Sequence, residues 1–219
     1  MTLTRILIAA ALLAPIPLHA QTPAASFVDS ARTEIDAASA AKDSTRLSAA
    51  VILLDRALIA FPGDPYLLHY RGYAKYRQVI TQYGRGAKAQ DEPLIYKAIA
   101  DLTAKSAKLA WAETYSLLAT LWGLQIGIDA NRAMTLGPQI MEYTARAVQM
   151  APDNPRVLYL QAISVLNTPP EYGGGVEPSR ALVTRALEAF KTDKPAPLAP
   201  RWGLAEATAF AKRFHAPAP

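Results

Sequence analysis

AVILLDRALIAFPGDPYLLHYRGYAKYR, residues Ala50 to Arg77, carries the reading that decides the fold. Ala50, Leu54, Ala57 and Pro62 stand in the order A-x3-L-x2-A-x4-P. The two alanines let a neighbouring helix come close, Leu54 fills the space between them, and Pro62 cannot be held inside a helix. Leu47, Ala50, Val51, Leu54, Ala57, Leu58 and Phe61 recur at steps of three and four, which puts them on one helical face. Ile52, Leu53 and Ile59 make the other side apolar as well, so the pattern predicts a helix sandwiched between neighbours. A second helix opens at once: Asp64 is an N-cap, and Pro65 takes the first helical position, where its missing N–H is not needed. Leu68 and Gly72 then supply a large apolar group and a close helix contact, and this second helix runs to about Thr81.

The unit recurs. Arg146, Ala147, Pro152, Asn154, Pro155 and Leu158 repeat the order of Arg56, Ala57, Pro62, Asp64, Pro65 and Leu68. RALEAF at Arg185–Phe190 repeats RALIAF at Arg56–Phe61, and a degenerate copy lies at Ser106, Ala107, Leu117 and Leu118. The A-x3-L-x2-A-x4-P spacing resembles the second helix and closing turn of a tetratricopeptide repeat. The distances between copies exceed that family's period of about 34 residues, so loops or helices have been lengthened. The resemblance implies an all-α chain, a right-handed α-solenoid of about four helix pairs with a C-terminal capping helix, in which first helices line the concave surface.

The rest of the chain fits this frame. Met1 to Ala20 reads as a secretory signal peptide: Arg5, then the apolar run Ile6–Ala14, then Leu18-His19-Ala20 before Gln21. The apolar run is shorter than a membrane span and is broken by Pro15 and Pro17. With 0 cysteines there is no thiol for a lipid anchor, a disulfide or a cysteine-based metal site. The expected product is soluble, periplasmic or secreted, with a helical repeat domain over 21–215 and a frayed end over 216–219. A formal net charge of +5 is too modest to call for nucleic acid.

Ser26 and Asp29 are possible capping partners for an Ala-rich first helix, and Tyr83–Pro93 reads as a solvated loop. Leu94–Ala110 and Glu113–Asn131 continue the helical pattern, Gly137-Pro138 restarts the chain, and Pro155–Leu166 and Pro178–Phe190 follow. Lys191–Pro200 is a proline-containing connection, and Trp202–Phe214 can form the terminal helix. No alternation of period two predicts a sheet.

On the family's register, Tyr66, His69, Tyr73, Tyr76 and Arg77 tend toward the concave surface. Tyrosines give broad apolar contact plus a hydroxyl at low entropic cost, which suits a binding surface, although each can equally pack between helices. Carboxylate-clamp members of the family use Lys and Asn at the places held here by His69 and Tyr73. The expectation is therefore an aromatic groove with Arg71, Lys75 or Arg77 at its rim, taking a protein or peptide partner in the cell envelope without a cofactor.

The segment NTPPEYGGGVEP, Asn167–Pro178, is glycine-rich but lacks the G-x4-G-K-[ST] phosphate pattern, so it reads as a tight turn. Its P-x-x-Y-G-G form also resembles exported tetratricopeptide-like proteins, including the helical accessory subunit of some tripartite periplasmic transporters, which makes transport accessory or ligand binding the alternative role. No G-x-S-x-G elbow is present, and the adjacent Asp91 and Glu92 read as solvated loop residues. A hydrolase would need titratable groups converging on His69, the one histidine of the mature chain outside the ragged end. The sequence proposes no reaction.

Overall fold

A computed structural model describes residues 24–82 and 88–214. The expected leader, the tip of the Tyr83–Pro93 segment and the C-terminal end beyond Phe214, His215 included, lie outside these residues. Among the described residues there are nine α-helices and no strand: α1 (Ala25–Ala41), α2 (Ser44–Ala60), α3 (Pro65–Gln82), α4 (Glu92–Ser106), α5 (Ala112–Ile128), α6 (Ala133–Met150), α7 (Pro155–Leu166), α8 (Val176–Phe190) and α9 (Leu204–Ala211). The all-α architecture expected from the sequence is the one observed.

The helix starts follow the capping chemistry. Asp43 accepts hydrogen bonds from the amides of Thr45 and Arg46, both at 3.0 Å, and opens α2. Asp64 accepts from Tyr66 and Leu67 at 2.9 and 3.0 Å, with Pro65 in the first turn of α3. Asn154 repeats this ahead of Pro155, accepting from Arg156 at 2.9 Å. Each side-chain oxygen satisfies donors that the first turn of a helix leaves without partners.

Every helix packs on the next in the chain. The odd-numbered helices α1, α3, α5 and α7 also touch one another in order, forming a continuous row against which α2, α4, α6 and α8 lie. This serial nesting of antiparallel helices is made by the predicted core positions: Leu47, Ala50, Leu54 and Ala57 of α2 are all at most 1% exposed. Gly72 marks a close crossing. A Cβ added there would lie 2.7 Å from Leu102 Cγ of α4, so only glycine lets α3 and α4 come this near.

Four local expectations are corrected. Ile52 and Ile59 are 51% and 80% exposed, so α2 is covered on one side and not sandwiched. Ser26 and Asp29 do not cap α1; Ala24 precedes it without a side-chain cap, and Asp29 instead pairs with Arg32 at 2.6 Å. Gly137-Pro138 does not break the chain, because α6 begins at Ala133 and carries Pro138 inside it. The bond that Pro138 cannot make would have gone to the carbonyl of Met134, an exposed first-turn residue. Finally, 88–93 is mostly exposed but is not loop: a 3-10 turn at Ala89–Asp91 runs straight into α4. Asp91 is buried and accepts from the Lys88 amide at 2.7 Å, and Glu92 pairs with Arg132 at 2.9 Å.

Candidate functional site

Helix α3 stands second in the row α1, α3, α5 and α7, and its aromatic side chains fall into two groups. Near its N-terminus Tyr66 and His69 lean on Trp111, with ring centroids 5.4 and 4.9 Å apart. His69 is fully buried there, its Nδ1 3.4 Å from the Thr114 hydroxyl, and Lys105 places its ammonium 3.8 Å from the centre of the Trp111 ring. This group is a helix–helix contact among α3, α4 and α5. His69 and Lys105 are closed off at its centre, and Tyr66 and Trp111 are partly exposed at its edge.

The second group, Tyr70, Tyr73, Tyr76 and Arg77, faces the inner side of the row. In place of an open groove, the structure has the chain's own C-terminal segment lying across these residues. The Tyr70 hydroxyl donates to the carbonyls of Leu198 and Ala199 at 3.1 and 3.0 Å. Tyr73 stacks on Trp202 with centroids 4.8 Å apart and planes 14° from parallel. Arg77 pairs with Glu206 at 2.7 Å and donates through Nε to Ser39 Oγ of α1 at 3.1 Å. Tyr159 of α7 meets Phe210 edge-on at 6.0 Å. The helix expected only to cap the end of the row, α9, therefore packs on α8 and also reaches α3 and α7.

Burial keeps these phenols protonated. It pushes the Tyr70 and Tyr76 hydroxyls up to about 12 and those of Tyr73 and Tyr159 further above their ordinary value. The strip is thus neutral and aromatic, with guanidinium groups set into it. Arg71 and Lys75 are not among them. Both turn to α4 and grip Asp101, Lys75 at 2.6 Å and the Arg71 Nε at 3.0 Å, which corrects their expected place at a groove rim. Within α3, residues at 71 and 75 project to the side opposite 73 and 77, so the rim expectation mixed two faces of one helix.

The glycine-rich turn resolves as structure. The amides of Tyr172, Gly173, Gly174 and Gly175 all donate to carbonyls, those of Pro169, Pro170, Pro169 and Val165. None of the four is left for an anion. Gly174 is forced by space, since an added Cβ would sit 1.9 Å from the Thr168 carbonyl oxygen. Gly174→Ala is expected to lower the unfolding free energy by about 1–3 kcal/mol, as overpacking does. Tyr172→Ala, at a side chain 78% exposed, should change it by less than about 0.5 kcal/mol; urea unfolding of both variants checks the contrast.

An open cleft of about 610 Å³ lies between the start of α7 and the end of α8, lined by Asp153, Asn154, Arg185, Glu188, Asp193 and Lys194. Its acids and bases are largely paired across it, Arg185 with Asp153 at 3.3 Å and Asp193 with the buried Arg156. Among the described residues no three His, Asp or Glu side chains are grouped to hold a metal ion, and no helix is long and apolar enough to cross a membrane.

Sequence reasoning brought Tyr73, Tyr76 and Arg77 together correctly as neighbours on one face. It missed Tyr70, Tyr159, Trp202, Glu206 and Phe210. The missed signal was present: Trp202, Glu206 and Phe210 follow at steps of four, an aromatic–acid–aromatic face on a segment read only as an end cap.

No protein-family model matches the chain, and no curated protein sequence matches it. Among solved structures the fold is similar to the HusA haemophore from Porphyromonas gingivalis, with a TM-score of 0.69 and 19% sequence identity over 88% of this chain and 94% of that chain. At that identity the likeness is one of fold.

Proposed function

We propose that this protein is a non-enzymatic binding protein of the cell envelope, which takes a segment of a protein or peptide partner on the inner surface of its helical row. One observation carries the reading: the strip formed by Tyr70, Tyr73, Arg77 and Tyr159 already holds a peptide segment through a stack, an ion pair and an edge-on aromatic contact. A surface able to hold one such segment has the chemistry to hold another. It is also the surface to which the tetratricopeptide resemblance assigns partner contact. The chemistry available on the strip favours recognition over reaction, because burial keeps its phenols protonated.

A photo-cross-linking residue at the Tyr159 position, on the strip itself, tests this reading in cells exporting the chain. The expected result is a discrete protein adduct that the exposed outer position Thr184 does not give. Equal labelling from both positions, or from neither, would count against it.

A second reading is favoured by the fold likeness. The neighbour is a haemophore, and a flat apolar ligand would suit an aromatic strip as stacked rings do. Titration with haemin separates the two: a saturable Soret change at one equivalent supports the small-ligand role, and a spectrum equal to that of free haemin retires it.

A further inference from the structure

We infer that the inner strip is a receptor for a short acidic, aromatic segment, and that the chain's own Trp202–Phe210 stretch is its displaceable resident. The inference rests on the partner-binding reading above and names the chemistry of the partner.

The resident makes its contacts at regular intervals. Trp202, just ahead of α9, lies on Tyr73, and within α9 Glu206 meets Arg77 and Phe210 meets Tyr159 one helical turn apart. The receptor side spans three inner helices, since Ser39 of α1 orients Arg77 and Tyr159 stands on α7. An occupant is thus recognised by its aromatic–acid–aromatic spacing.

Three features make the resident replaceable. It is joined to α8 by a linker with Pro195, Pro197 and Pro200 and with backbone reversals at Leu198, φ 65°, and Gly203, φ 112°. A positive φ at a leucine is unfavourable and is relieved when the segment leaves. The helix that follows is only eight residues long, too short to persist without its packing. The receptor also retains unused hydrogen-bonding capacity. Arg156 Nε and Arg32 Nη1 are buried without acceptors, Arg156 beside Gly203 and Arg32 beside the Tyr70 hydroxyl. An occupant with further acceptors would satisfy donors that the resident leaves bare. Arg32 and Arg156 already pair with Asp29 and Asp193, so the acid that an occupant must itself supply is the one facing Arg77, the place Glu206 holds.

The test uses the full chain and a labelled synthetic peptide copying residues 196–214. A full-length variant with Glu206→Ala and Phe210→Ala weakens the resident but keeps the receptor. It should bind the peptide about tenfold or more tightly than the wild type does, because the open fraction sets the apparent affinity. A peptide with the counterparts of Trp202 and Phe210 changed to alanine should not bind either chain. Hydrogen exchange on the wild type should show α9 amides opening while those of α3 stay protected. Equal peptide affinity for variant and wild type, both with native helical circular dichroism, would overturn the inference, and so would α9 protection equal to that of α3. The cross-linking result from Tyr159 is separate: adducts without peptide exchange would sink only the resident, and peptide exchange without adducts would sink only the envelope partner.

Discussion

Asp101→Ala is expected to lower the unfolding free energy by about 3–5 kcal/mol, the cost of leaving buried charge without its counter-ion. The Asp101 side chain is 7% exposed and takes Lys75 on one oxygen and Arg71 on both, while Arg71 also reaches Asp55 at 2.8 Å. Lys75 is 10% exposed on its side chain and its ammonium has no other partner among the described residues. Removing the carboxylate strands that ammonium between α3 and α4. Asp101→Asn should cost nearly as much, since it keeps the shape and loses the charge. Adding Lys75→Met to Asp101→Ala should recover a large part of the loss, because the stranded cation goes too. Urea unfolding of the four proteins gives the answer. A loss below about 1 kcal/mol would place the cluster with ordinary solvated surface pairs.

That cluster also shows where sequence reading works and where it stops. Asp43, Asp64-Pro65 and Asn154-Pro155 announced three helix starts because capping is decided within three or four residues. Ala50, Leu54 and Ala57 announced a buried face for the same local reason. Gly137-Pro138 misled because a proline early in a helix is tolerated when the carbonyl it leaves free sits in an exposed turn. Asp91 misled because its burial depends on packing at the mouth of α4, which composition does not encode.

The candidate site divides along the same line. Helical spacing is enough to gather Tyr73, Tyr76 and Arg77, since all three lie on one helix. It cannot say what covers them. The Tyr70 hydroxyl meets the Leu198 carbonyl across 128 residues, and no local pattern expresses a contact at that separation. Nor could spacing show that Arg71 and Lys75 serve α4, because their shared acid is thirty and twenty-six positions away. Only the share of the strip that lies on one helical face, Tyr73, Tyr76 and Arg77, was therefore legible; Tyr70, Tyr159 and the covering segment were not.

Lys105→Met should produce the opposite effect to Asp101→Ala, with a strong dependence on pH. Lys105 is fully buried near the end of α4, where its ammonium donates to the Thr114 hydroxyl at 2.7 Å and lies over the Trp111 ring. The attraction of Glu113 does not offset the loss of water, and burial pushes the lysine from its ordinary 10.5 down to about 7. His69, the other titratable group against it, is held well below its ordinary value by burial and by Lys105 itself, so it is neutral above pH 7.

Between about pH 7 and 10.5 the unfolded chain keeps a proton on Lys105 that the folded chain releases, so stability rises with pH across that window. The slope from this one group approaches about 1.4 kcal/mol per pH unit. Below the window the penalty of burying the lysine is complete and constant; above it, both states are neutral and the penalty vanishes. Methionine has similar length, carries no charge, and keeps a favourable sulfur contact with Trp111. The variant should therefore be more stable than the wild type at pH 7, by up to about 5 kcal/mol if the full shift is expressed in folding. The advantage should shrink steadily as pH rises toward 10. The buried tyrosines act in the other direction at high pH, since the unfolded chain ionises its phenols first, but they are common to both proteins and cancel in the difference. Unfolding free energies at pH 7, 8, 9 and 10 decide the matter. Parallel curves would mean that Lys105 keeps its proton and its water in the folded state, and that the contact among α3, α4 and α5 is wet.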